Sequence, residues 1–332
     1  MTKVSVIVPV YGVEKYIERC ARSLFEQTLD DIEFIFVDDC SVDSSVQLLL
    51  KTMNDYPNRN KQVTIHRMPQ NSGQAKVRET GIKLAKGEYI IHCDSDDWIE
   101  PKAYETLYNK AKSDDDDMLF FDFIMEKEGV STHVNNIIYS NVKNTINRLL
   151  LDRSKASLWL VLVKKSLYER EEFSHPKFDM AEDFTAIVQL CYLSKKIGYI
   201  ETPFYHYCIN QMSLSKEISE TRCLKRYNDL YGNVRFLCSF FKLMNDKSFK
   251  DALFIRMYEV RFMLDPIANN LFYFKMWISH EGSFWRYFIS PLPQNRNKLK
   301  TFKFLIGFPL YADSLKASRV YKALKPFLAK EY

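Results

Sequence analysis

The stretch His92-Cys93-Asp94-Ser95-Asp96-Asp97-Trp98 carries three carboxylates within four positions, directly after the apolar run Glu88-Tyr89-Ile90-Ile91. Like charges this close repel unless water or a cation offsets them, so the loop is either well solvated or holds a cation. Asp94 and Asp96, at D-x-D spacing, offer hard oxygen ligands to Mg2+ or Mn2+, ions whose shells are completed by water and substrate phosphates. A D-x-D pair by itself is also met in solvated turns, and only its placement separates the two readings. Asp38-Asp39 closes a second apolar run. A carboxylate just after a strand can accept hydrogen bonds from a ribose or a base, and Asp43 and Ser44 stand better placed to cap the helix that follows. In Asn71-Ser72-Gly73-Gln74-Ala75-Lys76-Val77-Arg78, Asn71 or Ser72 can cap a helix whose first turns present Lys76 and Arg78. A helix N-terminus beside cations suits phosphate, although both cations also read as ordinary surface charges.

The elements that position these residues follow from periodicity. Val4 to Val10 and Ile32 to Val37 are short β-branched runs, with Val13, Ile17, Cys20, Ala21, Leu24 and Phe25 between them at helical spacing. Ser44 to Met53 reads as a helix, Gln62 to His66 as a strand, Gln74 to Ala85 as a helix and Glu88 to Cys93 as a fourth strand. Such alternation predicts an α/β fold, a mainly parallel sheet flanked by helices, with ligands outside the carboxyl ends of the strands. Those ends carry Pro9-Val10-Tyr11, Asp38-Asp39 and Asp94-Ser95-Asp96-Asp97. Further on, a helix to about Ser113, a solvated turn at Asp114 to Asp117, a strand Met118 to Met125, helices near Val142 to Leu151 and Glu182 to Leu193, and a short strand Ile197 to Ile200 are expected. The texture then changes to long aromatic and basic helical patterns, which places a boundary between residues 210 and 220.

Charge is uneven along the 332 residues: 34 acids face 27 bases up to residue 220, and 8 acids face 20 bases beyond it. The seven cysteines form no C-x-x-C pair, which argues against a disulfide framework and a structural zinc site. No run approaches the roughly 18 apolar residues of a membrane span, and the N-terminus lacks a signal-peptide cleavage pattern, so a cytoplasmic location is expected. No GxGxxG or P-loop follows the first strand, which disfavours a nicotinamide-type dinucleotide.

Four blocks, VSVIVPVYGVEKYIERCARSLFEQT, IEFIFVDDCSVDSS, NSGQAKVRETGI and GEYIIHCDSDDW, resemble in order and spacing the family 2 inverting glycosyltransferases of the GT-A (Rossmann-like) fold. The resemblance implies a catalytic domain over residues 1–215 and a mostly helical, basic and aromatic C-terminal region over 216–332. It implies metal-dependent, inverting transfer of a sugar from a nucleotide-diphosphate sugar, commonly a UDP-sugar, to a hydroxyl of a saccharide or lipid-linked acceptor in cell-surface polysaccharide synthesis. Pro9, Val10, Tyr11 and Asp39 would hold the nucleoside. Asn71, Arg78, Asp94, Ser95 and Asp96 would complete the donor site, with Asp96 and Asp94 as ligands of Mg2+ or Mn2+. Arg78 matches the arginine of an A-R-N block, here flanked by Val77 and Glu79. The catalytic base falls on Asp183, in the pair Glu182-Asp183 that opens an apolar helix. On the acceptor side the resemblance points to Trp159, Glu182 and His206; Trp159 also reads as core, and His206 either as a third metal ligand or as a stacked ring. An arginine often stands at Cys208 in the family, and its role would pass to His206, Lys216, Ser213 or Ser215, or be absent.

For the C-terminal region, Phe284-Trp285-Arg286-Tyr287-Phe288 and the lysine-rich, aromatic segment Asn297 to Lys330 suggest contact with an anionic membrane surface, against a helical cap on the catalytic domain. Nucleic-acid binding is disfavoured, because the aromatics there recur at core-like spacing. Two rival readings are a non-catalytic family member that binds nucleotide sugar and scaffolds an assembly complex, and a sugar-nucleotide nucleotidyltransferase. The latter would ordinarily show a glycine-rich basic loop after the first strand, which PVYGVEKY does not supply.

Overall fold

The structure is a computed structural model, and it describes residues 1–209, 219–267, 276, 279–281, 284–293, 297, 298 and 301. The alternation predicted for the first half is present: β1 (Val4–Val10), α1 (Ile17–Phe25), β2 (Ile32–Asp38), α2 (Ser45–Met53), β3 (Val63–Arg67), α3 (Gln74–Leu84) and β4 (Tyr89–His92). β5 (Trp98–Ile99), α4 (Ala103–Asp114), β6 (Met118–Lys127), β7 (Val130–Val134), α5 (Val142–Leu150), β8 (Val161–Lys164) and α6 (Lys165–Tyr168) follow. The described chain continues with α7 (Glu182–Leu193), β9 (Ile197–Cys208), α8 (Glu220–Leu243), α9 (Lys250–Glu259) and α10 (Phe284–Ile289).

One sheet runs in the order β3-β2-β1-β4-β8-β6-β9-β5, with β7 paired to β6. β1 to β4 are all parallel, whereas β8 runs antiparallel to both of its neighbours. This is the expected α/β class with a mixed second half. Because β1 is covered on both faces it reads as one apolar run. Val6 and Val8 join α1 and α4 residues in one core, while Ile7 meets Val77 and Ile82 of α3 in the other. The second core also takes Phe184 and Ile187 from α7 and Leu230, Val234, Leu237, Phe240 and Phe241 from α8. Burying each such side chain contributes roughly 1.5–3 kcal/mol, so α8 is integral to the fold.

The structure departs from the sequence expectations at several points. β9 does not stop at Ile200 but passes Pro203 through a register shift against Asp122 and continues to Cys208. Pro lacks the N–H of a regular ladder, which is why a bulge stands there. The Asp114–Asp117 run is not a wholly solvated turn: Asp116 is buried with Lys196 at 3.5 Å, and Asp117 accepts from the Lys195 N–H at 2.8 Å. In the segment expected to face a membrane, Tyr287 is buried, stacked on Tyr258 at 4.0 Å and donating to Glu259 at 2.8 Å, and Arg286 pairs with Asp251. α10 thereby packs on α9 as a cap. Ser213, Ser215, Lys216 and nearly all of 297–330 lie outside the described residues. Among the described residues no helix is long and apolar enough to cross a membrane.

Candidate active site

The carboxyl ends of β1, β2 and β4 converge as the topology requires. Asp39 donates its N–H to the Val10 carbonyl at 2.9 Å, which places it beside Pro9, Val10 and the exposed Tyr11. Its carboxylate accepts from the Ser72 N–H at 2.7 Å and the Gly73 N–H at 2.9 Å, and Asn71 Nδ2 donates to its carbonyl at 3.3 Å. The capping expectation is corrected here. Gly73, at φ +84°, is the N-cap of α3, and neither Asn71 nor Ser72 supplies a cap; the incoming N–H groups are met by Asp39 and, at Ala75, by Asp179. Asp38 turns inward to the Ser41 N–H at 2.8 Å and to Arg67 at 3.3 Å.

After β4 the three acids separate. Asp97 is fully buried, its Oδ2 accepting from the Tyr205 hydroxyl at 2.8 Å and its Oδ1 from the Cys208 N–H at 2.7 Å. Burial first, then repulsion from Asp96 and Asp94, holds its pKa well above the usual carboxylate range. It is a strut between the loop and β9. Tyr205 also accepts from the Asp94 N–H at 3.0 Å, and Arg19 of α1 donates to the Asp96 carbonyl at 2.7 Å and to Cys208 Sγ at 3.2 Å. Ser95 is buried, while Asp94 and Asp96 keep partial exposure at the surface of the loop. Among the described residues no group of three or more His, Cys, Asp or Glu side chains is placed to hold a metal. Two open carboxylates without a third protein ligand fit Mg2+ or Mn2+ completed by water and phosphate, and do not fit a closed zinc site.

Arg78 faces inward from α3 and is 3% exposed. Its Nη2 donates to Asp94 Oδ1 at 2.9 Å, and its Nε lies 3.4 Å from Asp183 Oδ1 and 3.5 Å from Glu182 Oε1. The reading of Arg78 as a surface charge is thereby overturned. Lys76 does stay outside and pairs with Glu79. Asp183 Oδ2 also accepts from the Leu158 N–H at 3.2 Å. Burial raises the pKa of both acids. For Glu182 repulsion from Asp183 adds to it, holding the carboxyl well above its ordinary range; for Asp183 the Arg78 charge works against the rise. The Arg78 guanidinium, 3.4 Å from Asp183 and 3.5 Å from Glu182, is the charge that favours the ionised form of this buried pair. His92 is buried, and burial first, then the Arg78 charge, lowers its pKa well below the ordinary imidazole range.

The residues expected on the acceptor side are not brought together. Glu182 is buried against Arg78. Trp159 is 6% exposed, stacked on Tyr205 at 4.3 Å and Tyr207 at 5.6 Å, as a core ring would be. His206 stacks on Trp98 at 3.4 Å and meets Glu126 through Nδ1 at 2.8 Å and Glu100 through Nε2 at 3.0 Å. With both nitrogens so engaged, it does not join Asp94 and Asp96 as a third metal ligand. Residues that the sequence reading did not single out are Tyr205, Arg19, Asp179 and Asn233. They act through contacts more than 75 or 50 positions apart, for which a single chain carries no periodic signal.

Residues 5–165 match the model of the family described as Glycosyl transferase family 2. The chain carries a family 2 glycosyltransferase domain. TarP of Staphylococcus aureus (strain N315), a poly(ribitol-phosphate) beta-N-acetylglucosaminyltransferase, is 30% identical over 226 residues, 66% of this chain and 66% of that protein. The structure of S. aureus TarS 1-349 in complex with UDP-GlcNAc superposes with a TM-score of 0.56 at 18% identity, covering 79% of this chain and 81% of that one. Mannosyltransferase PcManGT from Pyrobaculum calidifontis, in complex with GDP-Man and Mn2+, gives 0.53 at 18% identity, covering 99% and 88%. These likenesses establish the GT-A type of fold for this chain. It spans 62%, 32% and 63% of the length of three further curated relatives that it matches.

Proposed function

We propose that the chain transfers a sugar, with inversion at the anomeric carbon, from a nucleotide-diphosphate sugar of the UDP type to a hydroxyl of a saccharide or lipid-linked acceptor in cell-surface polysaccharide synthesis. One observation carries the reading: the buried Arg78 guanidinium stands 2.9 Å from Asp94 and 3.4 Å from Asp183, joining the loop that would meet the donor to the proposed base. The nucleotide sugars held by TarS and PcManGT, and the polymer named for TarP, support the substrate classes.

Pro9 to Tyr11, Asp39 and Asn71 bind the nucleoside, and Arg78 orients Asp94 towards the diphosphate. A divalent ion on Asp94 and Asp96 would offset the charge that develops on the leaving nucleotide diphosphate. Asp183, beside the Arg78 guanidinium that favours its ionised form, takes the proton of the acceptor hydroxyl as it attacks. A single carboxylate on the face opposite the leaving group yields inversion, the logic that governs inverting glycosidases. The work is done in the cytoplasm, with the basic C-terminal region resting on the inner face of the membrane, where lipid-linked acceptors are found.

The test is a thermal-shift screen of nucleoside diphosphates with and without Mn2+, followed by nucleotide release from a panel of UDP- and GDP-sugars. Stabilisation by UDP that needs the ion, with turnover of at least one UDP-sugar, is the expected outcome. Binding without turnover would leave the non-catalytic scaffold, and turnover undiminished by chelator would remove the metal. Flotation with anionic but not neutral liposomes is expected, and equal flotation with both would end the membrane assignment.

A further inference from the structure

α7, which carries Asp183, starts directly after Ala181, whose φ of +67° puts a non-glycine residue in the left-handed region. Such backbone persists only where its surroundings over-determine it. Here the surroundings are α8. Asn233, buried at 1% exposure, donates through Nδ2 to the Phe178 carbonyl at 3.1 Å and to the Met180 carbonyl at 2.8 Å. Asp229 accepts from the Met180 N–H at 3.4 Å. Lys225 joins Asp229 at 2.8 Å to Asp179 at 3.0 Å, and Asp179 in turn accepts from the Ala75 N–H at the start of α3, the helix of Arg78. The helix lies close enough that a Cβ on Gly232 would stand 2.4 Å from the Phe178 ring.

We propose that Asn233, assisted by the Lys225–Asp229 pair, is a positioning residue that fixes the 178–181 turn and thereby the place of Asp183 relative to Arg78. This rests on the reading of Asp183 as the base. The C-terminal region is then a working part of the active site, whatever its relation to a membrane. A backbone shift of about an ångström at the base is enough to cost up to 100-fold in rate.

The experiment uses the full chain, with nucleotide release from the UDP-sugar that the wild type turns over, and binding of UDP with Mn2+. Asn233→Ala is expected to lower kcat about 10- to 100-fold while the Kd for UDP with Mn2+ stays within about twofold, because a displaced base is felt in the chemical step alone. Amide exchange over residues 178–185 should quicken in the same variant. Lys225→Met and Asp229→Asn, changed together, keep the test open if Asn233→Ala does not fold; a kcat loss of about threefold with unchanged UDP binding is expected of the pair. Full kcat in the folded variants, or a loss that only follows the loss of UDP binding, overturns the proposal. Asp183→Asn run beside them separates the two readings. If it keeps turnover, the base assignment fails; if it is inactive while Asn233→Ala is fully active, only the positioning role fails.

Discussion

The loop Asp94–Asp97 and the helix start Glu182–Asp183 both press neighbouring carboxylates together at low exposure, and they relieve the repulsion by different means. The loop buries one acid on neutral donors, the Tyr205 hydroxyl and the Cys208 N–H, and leaves the other two partly open. The helix start instead sets both acids against the single guanidinium of Arg78, which reaches Asp94 as well. Asp97, whose pKa burial raises, is met by neutral donors alone. A permanent cation is needed where one acid of a pair must stay ionised. With Asp183 as the proposed base, the difference separates a structural carboxylate from a reactive one.

Substitutions can break or sharpen this contrast. Asp183→Asn removes the proposed base and is expected to lower transfer by about 10²–10⁴-fold while UDP still binds, read as kcat against the Kd for UDP with Mn2+. Arg78→Leu leaves Glu182, Asp183 and Asp94 without their cation, so a loss of about 3–5 kcal/mol in denaturant unfolding, together with loss of turnover, is expected. Glu182→Gln addresses the raised pKa of this buried acid. An acid whose pKa is raised on folding binds its proton more tightly in the native state, so stability falls as pH rises from the ordinary carboxylate range through the raised pKa. Glu182→Gln should flatten that decline, measured by unfolding at a series of pH values. The raised pKa of Asp183 likewise predicts that wild-type kcat falls, on acidification, at a pH above the ordinary carboxylate range. The smallest effect is expected of Asp97→Asn. Burial already disfavours the charge of this acid, and the neutral amide keeps one of its two acceptor oxygens, so kcat should change by no more than about threefold with a stability loss of about 1 kcal/mol.

The sequence was most legible where the periods were clean. β1, β2 and β4 are buried on both faces and α1 to α3 on one, so their apolar periods can be read locally from Val4 to His92. The motifs single out Asp39, Asp94, Asp96, Arg78 and Asp183 as candidates, and the structure brings Asp94 and Asp183 onto the Arg78 guanidinium. What escaped was long-range. The role of Asp97 depends on Tyr205 and Cys208, Pro203 disguised the continuation of β9, and the bracing of the 178–181 turn depends on a helix whose own pattern speaks only of its core. Trp159 and His206 show the converse. Large rings near a site attract a functional reading, yet here the strands stack them on Tyr205 and Trp98.

The anchoring of the acidic loop on β9 has a consequence for how the protein is made. The aspartates emerge from the ribosome within the first hundred residues, but Tyr205 and Cys208, which bury Asp97 and hold the Asp94 N–H, come more than a hundred positions later. Closing so long a separation costs chain entropy that local contacts cannot offset. During synthesis the parallel strands can therefore assemble while the loop between them is still unshaped. A nascent chain halted at residue 165 would own the residues proposed to hold a nucleotide sugar and lack the strand that arranges them.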